Sequence, residues 1–254
     1  MNIPDSKTCI VEHSNKKVYD LGDKIAKVFS ESKPGSDVFN EALNLARING
    51  EGIPSPKVLE VSKAEGAGWG LLTEKIPGVT LQQKMDEEPS RFYELLEAFV
   101  GMQIEIHSHR CRLLNRQRDK YSRMIDDLTT INATTRYNLQ ERLDGMKKEF
   151  NVCHGDYNPS NVIVAEDGTL AVCDWAHATQ GSPAADAAMT YLLFALQDKQ
   201  RADAYLELYC DKADAPMQIV RSWMSIVAAA ELSRKRADVN DEFLMGWIDV
   251  VDYQ

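Results

Sequence analysis

Asn161-Val162-Ile163-Val164-Ala165-Glu166-Asp167-Gly168-Thr169-Leu170-Ala171-Val172-Cys173-Asp174 is the stretch that decides how the chain is read. Two β-branched runs flank Asp167-Gly168, a dipeptide suited to a two-residue hairpin turn. With those two residues as the loop, Glu166 faces Thr169, Ala165 faces Leu170 and Asn161 faces Asp174. Directly opposed Cβ atoms lie about 4.5–5.5 Å apart. The reading therefore delivers an amide oxygen and a carboxylate side by side at the open end of the hairpin. Hard oxygen donors of this kind suit Mg²⁺, with phosphate oxygens and water completing its shell. Asn161 and Asp174 are the candidate metal ligands.

Immediately upstream stands His154-Gly155-Asp156-Tyr157-Asn158-Pro159-Ser160. Glycine and proline mark a loop, so Asp156 is expected near the same place. A carboxylate there can accept a hydrogen bond from an acceptor hydroxyl and orient it for attack.

Further out, the N-terminal third is β-rich. Cys9–His13, Lys17–Leu21 and Lys24–Phe29 form an expected antiparallel meander with a turn at Gly22-Asp23. Pro34-Gly35 breaks the pattern. Ser36 or Asp37 is then expected to cap a helix that carries Phe39, Leu43, Leu45 and Ala46 and ends at Asn49 before Gly50. Lys57–Val61 and Trp69–Glu74 are two more expected strands, and Pro77-Gly78 punctuates the chain. After that the period turns helical. A helix opens at Pro89-Ser90 with Phe92, Leu95, Leu96, Phe99, Met102 and Ile106 on one stripe. Others are expected at about 137–149, 185–197, 202–211, 216–236 and 240–252, interrupted by a β island at 151–175. The division is a small β-rich lobe, 1–76, and a larger helical part, 79–254.

Composition narrows the function. The net charge is −10, and the acid excess falls almost wholly after residue 78. A nucleic-acid-binding surface is therefore not expected. Apolar runs are too short to span a membrane, and the first residues lack a signal-peptide core. Five scattered cysteines without a CxxC fit a reducing cytoplasm rather than a disulfide framework or a zinc site.

Taken together, His154-Gly155-Asp156-Tyr157-Asn158-Pro159-Ser160-Asn161 and Cys173-Asp174-Trp175 resemble the signature of the aminoglycoside phosphotransferase family. That resemblance implies an α+β, bilobal protein-kinase-like fold with a small antiparallel-sheet N-lobe and a larger helical C-lobe. It implies ATP or GTP as donor, Mg²⁺, and transfer of the γ-phosphoryl group to a hydroxyl, with an aminoglycoside or related amino-sugar as the leading acceptor. Amino alcohols, sugars and other antibiotics share the scaffold, since fold does not fix substrate. A nucleotide-binding pseudokinase is the non-enzyme alternative. A protein kinase is disfavoured because no activation segment ends in Ala-Pro-Glu.

The resemblance also distributes roles. Asp156 becomes the catalytic base or hydroxyl-orienting group. Lys27 falls where the family's phosphate-binding lysine lies, with Glu41 as its ion-pair partner; Lys24 is the rival, on the opposite face of the strand. Leu71–Gly78 resembles the interlobe hinge (about 73–78), with Glu74 to Ile76 contacting the base through backbone groups. Ser14 is the candidate in the phosphate-covering loop, where His13-Ser14-Asn15-Lys16-Lys17 departs from the pattern by having no glycine. His154 and Asp186 are expected to be architectural, and Trp175 to pack.

Overall fold

A computed structural model describes residues 1, 3, 7–12, 15–236 and 239–248. Ser14 lies outside them. The chain forms two compact units. One comprises Met1–Asp86 with Ser160–His177, the other Glu87–Pro159 with Ala178–Gln254. The hairpin that opens the sequence reading thus belongs with the N-terminal sheet, although it follows it by some eighty residues.

In the first unit the meander forms as expected, as β1 (Thr8–Glu12), β2 (Lys16–Asp20) and β3 (Lys24–Phe29). With β4 (Val58–Lys63) and β5 (Trp69–Glu74) they make an antiparallel sheet ordered β1-β2-β3-β5-β4. Helix α1 (Gly35–Gly50) packs on it through Val38, Ala42, Leu45 and Ile48, while Phe39 and Leu43 are half exposed. The expected stripe is therefore rotated: the i, i+4, i+7 row that meets Phe29 and Leu71 excludes Phe39. Ser36 and Asp37 do not cap the helix. It begins two residues earlier after Pro34, and Asp37 pairs with Lys33.

The hairpin is β8 (Val162–Ala165) and β9 (Leu170–Val172), preceded by β6 (Gly78–Thr80), which pairs with β8. Gly78 makes that third strand possible. Its φ is +149°, and a Cβ there would meet the Val164 carbonyl oxygen at 2.2 Å.

The expected register is wrong by one residue. Val162 pairs with Val172 and Val164 with Leu170, so the loop holds Glu166, Asp167 and Gly168. Gly168 takes φ +84°, and Asp167 Oδ1 accepts from the Thr169 amide and hydroxyl at 3.0 and 2.7 Å. A three-residue loop ending in a left-handed glycine competes with the two-residue turn for the same dipeptide, and here it wins. Asn161 consequently faces Cys173, whose N–H donates to its carbonyl at 2.9 Å, and not Asp174.

The second unit is helical. Past the short helix α2 (Leu81–Glu87), it holds α3 (Phe92–Ser108), α4 (Gln117–Asp126), α5 (Ala133–Gly145), α6 (Pro183–Ala195), α7 (Lys199–Lys212), α8 (Met217–Arg221), α9 (Met224–Ser233) and α10 (Asp241–Ile248). The single helix expected at 216–236 is two, broken at Ser222-Trp223. From Ala184 to Phe194 in α6, and from Met224 to Leu232 in α9, every residue is buried. Helices buried all round belong in the middle of a core, and these two pack against each other. A two-stranded ribbon, β7 (Asn151–Cys153) with β10 (Thr179–Gly181), completes the unit. The five cysteines are free thiols. No helix among the described residues is long and apolar enough to cross a membrane.

Candidate active site

The sheet register puts the two β3 lysines in different surroundings. Val18 opposes Lys27, and Lys16 opposes Phe29, so Lys16 and Lys27 lie diagonally on one face, within reach of each other's partners. Lys27 Nζ is 2.7 Å from Glu41 Oε1 and 3.1 Å from Asp174 Oδ1. Lys16 Nζ donates to Asp174 Oδ2 at 3.1 Å. Glu41 reaches this face because it shares the buried side of α1 with Val38, Ala42 and Leu45. Lys27 is thus grouped with Glu41 and Asp174, while Lys24 lies opposite Glu74.

Asp174 is therefore a carboxylate between two ammonium groups. Burial pushes its pKa up, but Lys27 and Lys16 outweigh burial and hold it well below the usual carboxylate range. Burial likewise works to lower Lys27, but Asp174 and Glu41 raise it above the usual lysine value. Burial pushes the neighbouring Cys173 thiol up to about 11, so it stays protonated.

The backbone here is locally unusual. Asp174 has φ +62°, a region that non-glycine residues visit at a cost and that collects at functional sites. The following residue fixes it. Trp175, 1% exposed, donates its ring N–H to the Val172 carbonyl at 2.8 Å, and Asn44 on α1 donates to the Trp175 carbonyl at 3.3 Å. Asn161 ends a short 3₁₀ turn, Pro159–Asn161, just before β8. An amide oxygen and a carboxylate are donor types that suit Mg²⁺, but the register sets Asn161 opposite Cys173 and not, as expected, opposite Asp174.

Glu74 closes β5, and its N–H already donates to the Lys57 carbonyl at 2.9 Å. That N–H is therefore engaged within the sheet. Ile76 follows in the irregular segment between β5 and β6 and is half-buried.

Asp156 is held by a hydrogen-bond frame in the second unit. Asp186, 1% exposed, receives Gly155 N–H at 2.6 Å, His154 N–H at 3.1 Å and His107 Nε2 at 3.0 Å. Burial would raise Asp186, but the His107 hydrogen bond and the nearby charges hold its pKa down. Gly155 has φ +75°, so the chain turns there and sends the next residue outward. The Asp156 N–H donates to His154 Nδ1 at 3.2 Å, and Tyr157 anchors its hydroxyl on the Phe99 carbonyl at 2.8 Å. His154 thus shapes backbone, and Asp186 is the clamp. His107, Cys153 and Asp186 lie close enough to hold an ion. Their hydrogen bonds, including Tyr209 to His107 Nδ1 at 3.2 Å, describe a structural hub instead.

Sequence reading missed the groups that surround Asp156. Arg234 Nη1 and Arg236 Nη1 lie 3.7 and 3.4 Å from its Oδ1, and both pair with the fully buried Glu231 on α9. Arg234 also donates to the Gly155 carbonyl at 2.7 Å. Lys235 between them has φ +50°, which ends α9 with a left-handed residue and turns both arginines toward the loop. The signal was visible as Arg234-Lys235-Arg236 in an otherwise acidic region. Lys120 on α4 is a further neighbour: burial and then Arg234 push its pKa down to about 7, against Asp156, Asp186 and Glu231.

A search of curated proteins finds no match to the chain. Solved structures do resemble it. A thermostable mutant of aminoglycoside phosphotransferase APH(4)-Ia, in ternary complex with ADP and hygromycin B, aligns with a TM-score of 0.71 at 14% identity, covering 96% of this chain and 92% of that one. Aminoglycoside phosphotransferase APH(3'')-Id from Streptomyces rimosus aligns at 0.64 and 17% identity, over 88% and 92%. A choline/ethanolamine kinase family protein from Mesorhizobium loti aligns at 0.64 and 16%, over 95% and 85%. These likenesses establish the α+β, protein-kinase-like fold. Residues 11–220 match the model of the phosphotransferase enzyme family, APH, and the chain belongs to that family.

Proposed function

We propose that this phosphotransferase moves the γ-phosphoryl group of ATP or GTP, with Mg²⁺, to a hydroxyl of a small molecule. The observation that carries the reading is Asp174, an ionised carboxylate held between Lys16 and Lys27 at the end of the hairpin that also carries Asn161. Phosphoryl transfer asks a protein chiefly for positioning and charge neutralisation. Lys27, kept in place by Glu41, is suited to grip phosphate oxygens. Asn161 and Asp174 would hold Mg²⁺, which when bound draws charge from the β- and γ-phosphate oxygens. The Glu74 carbonyl and the backbone of Ile76 are the proposed contacts to the base. Ser14 remains a proposal for the loop.

Asp156 takes the acceptor. Its carboxylate accepts the hydrogen bond of the incoming hydroxyl and aims that oxygen at the γ-phosphorus. The new O–P bond forms as the bond from phosphorus to the β–γ bridging oxygen breaks. The electron pair leaves with the nucleoside diphosphate, and the hydroxyl proton passes to Asp156 and on to solvent. We place the reaction in the cytoplasm, where nucleoside triphosphate is held and where five free thiols persist.

The likeness to aminoglycoside kinases makes an aminoglycoside or related amino-sugar the first acceptor to test, and one neighbour adds amino alcohols. A second reading, a sugar or other uncharged acceptor, is favoured by Arg234 and Arg236, which with Glu231 compensate the charge of Asp156 and leave little net negative charge there to attract a polycation. Diphosphate release should be followed with ATP and GTP against aminoglycosides, other antibiotics, amino alcohols and sugars. One class is expected to stimulate release in the wild type and not in Asp156→Asn. Tight nucleotide binding without turnover on any acceptor would instead favour a pseudokinase.

A further inference from the structure

We propose that Lys16 is a second phosphate-binding cation, doing on β2 what backbone amides of a glycine-rich loop do in other kinases. The inference rests on the phosphotransferase reading above and adds a residue that neither the family signature nor the sequence pattern assigns.

Three observations converge. First, the loop from β1 to β2 contains no glycine, so it lacks the residue type that lets backbone N–H groups close on phosphates. Second, the register places Lys16 and Lys27 diagonally on one face of the sheet. Two ammonium groups so placed repel unless an anion lies between them. Third, the anion that lies there is Asp174, with one oxygen on each lysine at 3.1 Å. Lys27 has a second carboxylate, Glu41, to hold it in place. Among the described residues, Asp174 is the carboxylate within ion-pair range of Lys16.

Charge then predicts an exchange. Lys16, Lys27, Glu41 and Asp174 form a neutral set. Were Asp174 to hold a divalent cation, its pull on both lysines would weaken. Lys27 keeps Glu41. Lys16 is left with an uncompensated charge at the place where, on this reading, a triphosphate brings about four negative charges. Its long, flexible stem can follow them. Lys17, the next residue, points to the other face and pairs with Glu12 at 2.7 Å. It is the natural control.

The test measures binding by calorimetry on the full chain, with no turnover required. AMP-PNP and its guanine counterpart with Mg²⁺ are compared with adenosine and guanosine in wild type, Lys16→Met, Lys16→Arg and Lys17→Met. The expected result is at least tenfold weaker triphosphate-analogue binding in Lys16→Met. Nucleoside affinity and melting temperature should be unchanged, Lys16→Arg should lie within a few-fold of wild type, and Lys17→Met should be indistinguishable from it. Analogue binding in Lys16→Met as tight as in wild type, or tighter, would overturn the proposal, because Lys16 would then only occupy the metal's place. An equal loss of nucleoside binding would overturn it too, since the role would be structural. A wild type that binds neither nucleotide would instead remove the phosphotransferase reading on which the proposal stands.

Discussion

Asp174 combines a charge role and a backbone role, and substitution can separate them. Asparagine tolerates the left-handed region nearly as well as aspartate, so Asp174→Asn should keep the local backbone, while its melting temperature falls with the loss of the two ion pairs. It loses the carboxylate that Lys16 and Lys27 share, and kcat/KM should fall by a factor of about 10³, roughly 4 kcal/mol of transition-state stabilisation. An active Asp174→Asn enzyme would count against the metal assignment. Lys120 gives a second residue-scale prediction. Its pKa is pushed down to about 7 in the fold, against about 10.4 in an unfolded chain. Between those values the unfolded state binds more protons, so stability rises with pH. Between pH 7 and 8.5 the gain should be about 1–2 kcal/mol in wild type, and Lys120→Met should lose it. Denaturant unfolding at the two pH values reads this directly; identical pH slopes in the two proteins would refute the depressed pKa.

The elements that hold these residues make different demands on sequence. In the loop 154–156, Asp186 satisfies two buried backbone N–H groups at once. Asp186→Ala strands both, and at roughly 1–3 kcal/mol for each the variant should unfold at markedly lower denaturant. Because the pKa of Asp186 is held down in the fold, its contribution is complete above about pH 4 and lost as pH falls through the folded value. The acid limb of the wild-type stability curve should therefore be shallower in the variant. The glycines of the first unit make a paired comparison. At Gly168 a Cβ meets nothing within 4 Å, so Gly168→Ala should cost only the left-handed penalty of about 1–2 kcal/mol. At Gly78 the Cβ strikes the Val164 carbonyl, so Gly78→Ala should cost more and displace β6. Thermal melts of the two variants decide the order.

Strand positions were legible because alternation survives local context: β3 and β5 fall where the pattern puts them. The turn register was not, because Asp167-Gly168 suits two loop lengths. Helix α4 was missed because its buried face is only Gln117, Tyr121 and Ile125 in a polar stretch.

At the scale of the whole molecule, each unit carries its own part of the chemistry. The sheet and hairpin assemble Lys16, Lys27, Glu41 and Asp174; the helical unit frames Asp156 with Asp186, Arg234 and Arg236. Asp156, Asn161 and Asp174 were legible because they stand close in sequence in a recognisable spacing. The arginines were not, because they arrive from a helix end some eighty residues away, where only tertiary packing sets the contact. That asymmetry explains why the reaction class can be read from the chain and the acceptor cannot. The central claim is direct transfer of a phosphoryl group to an alcohol oriented by Asp156. Phosphorus NMR of the enzyme with nucleoside triphosphate, Mg²⁺ and the acceptor found by the release screen tests it most directly. The γ-phosphate resonance should disappear as a phosphomonoester resonance on the acceptor grows, and Asp156→Asn should bind the nucleotide yet leave the spectrum unchanged. Growth of inorganic phosphate alone, or full transfer by Asp156→Asn, would contradict the account.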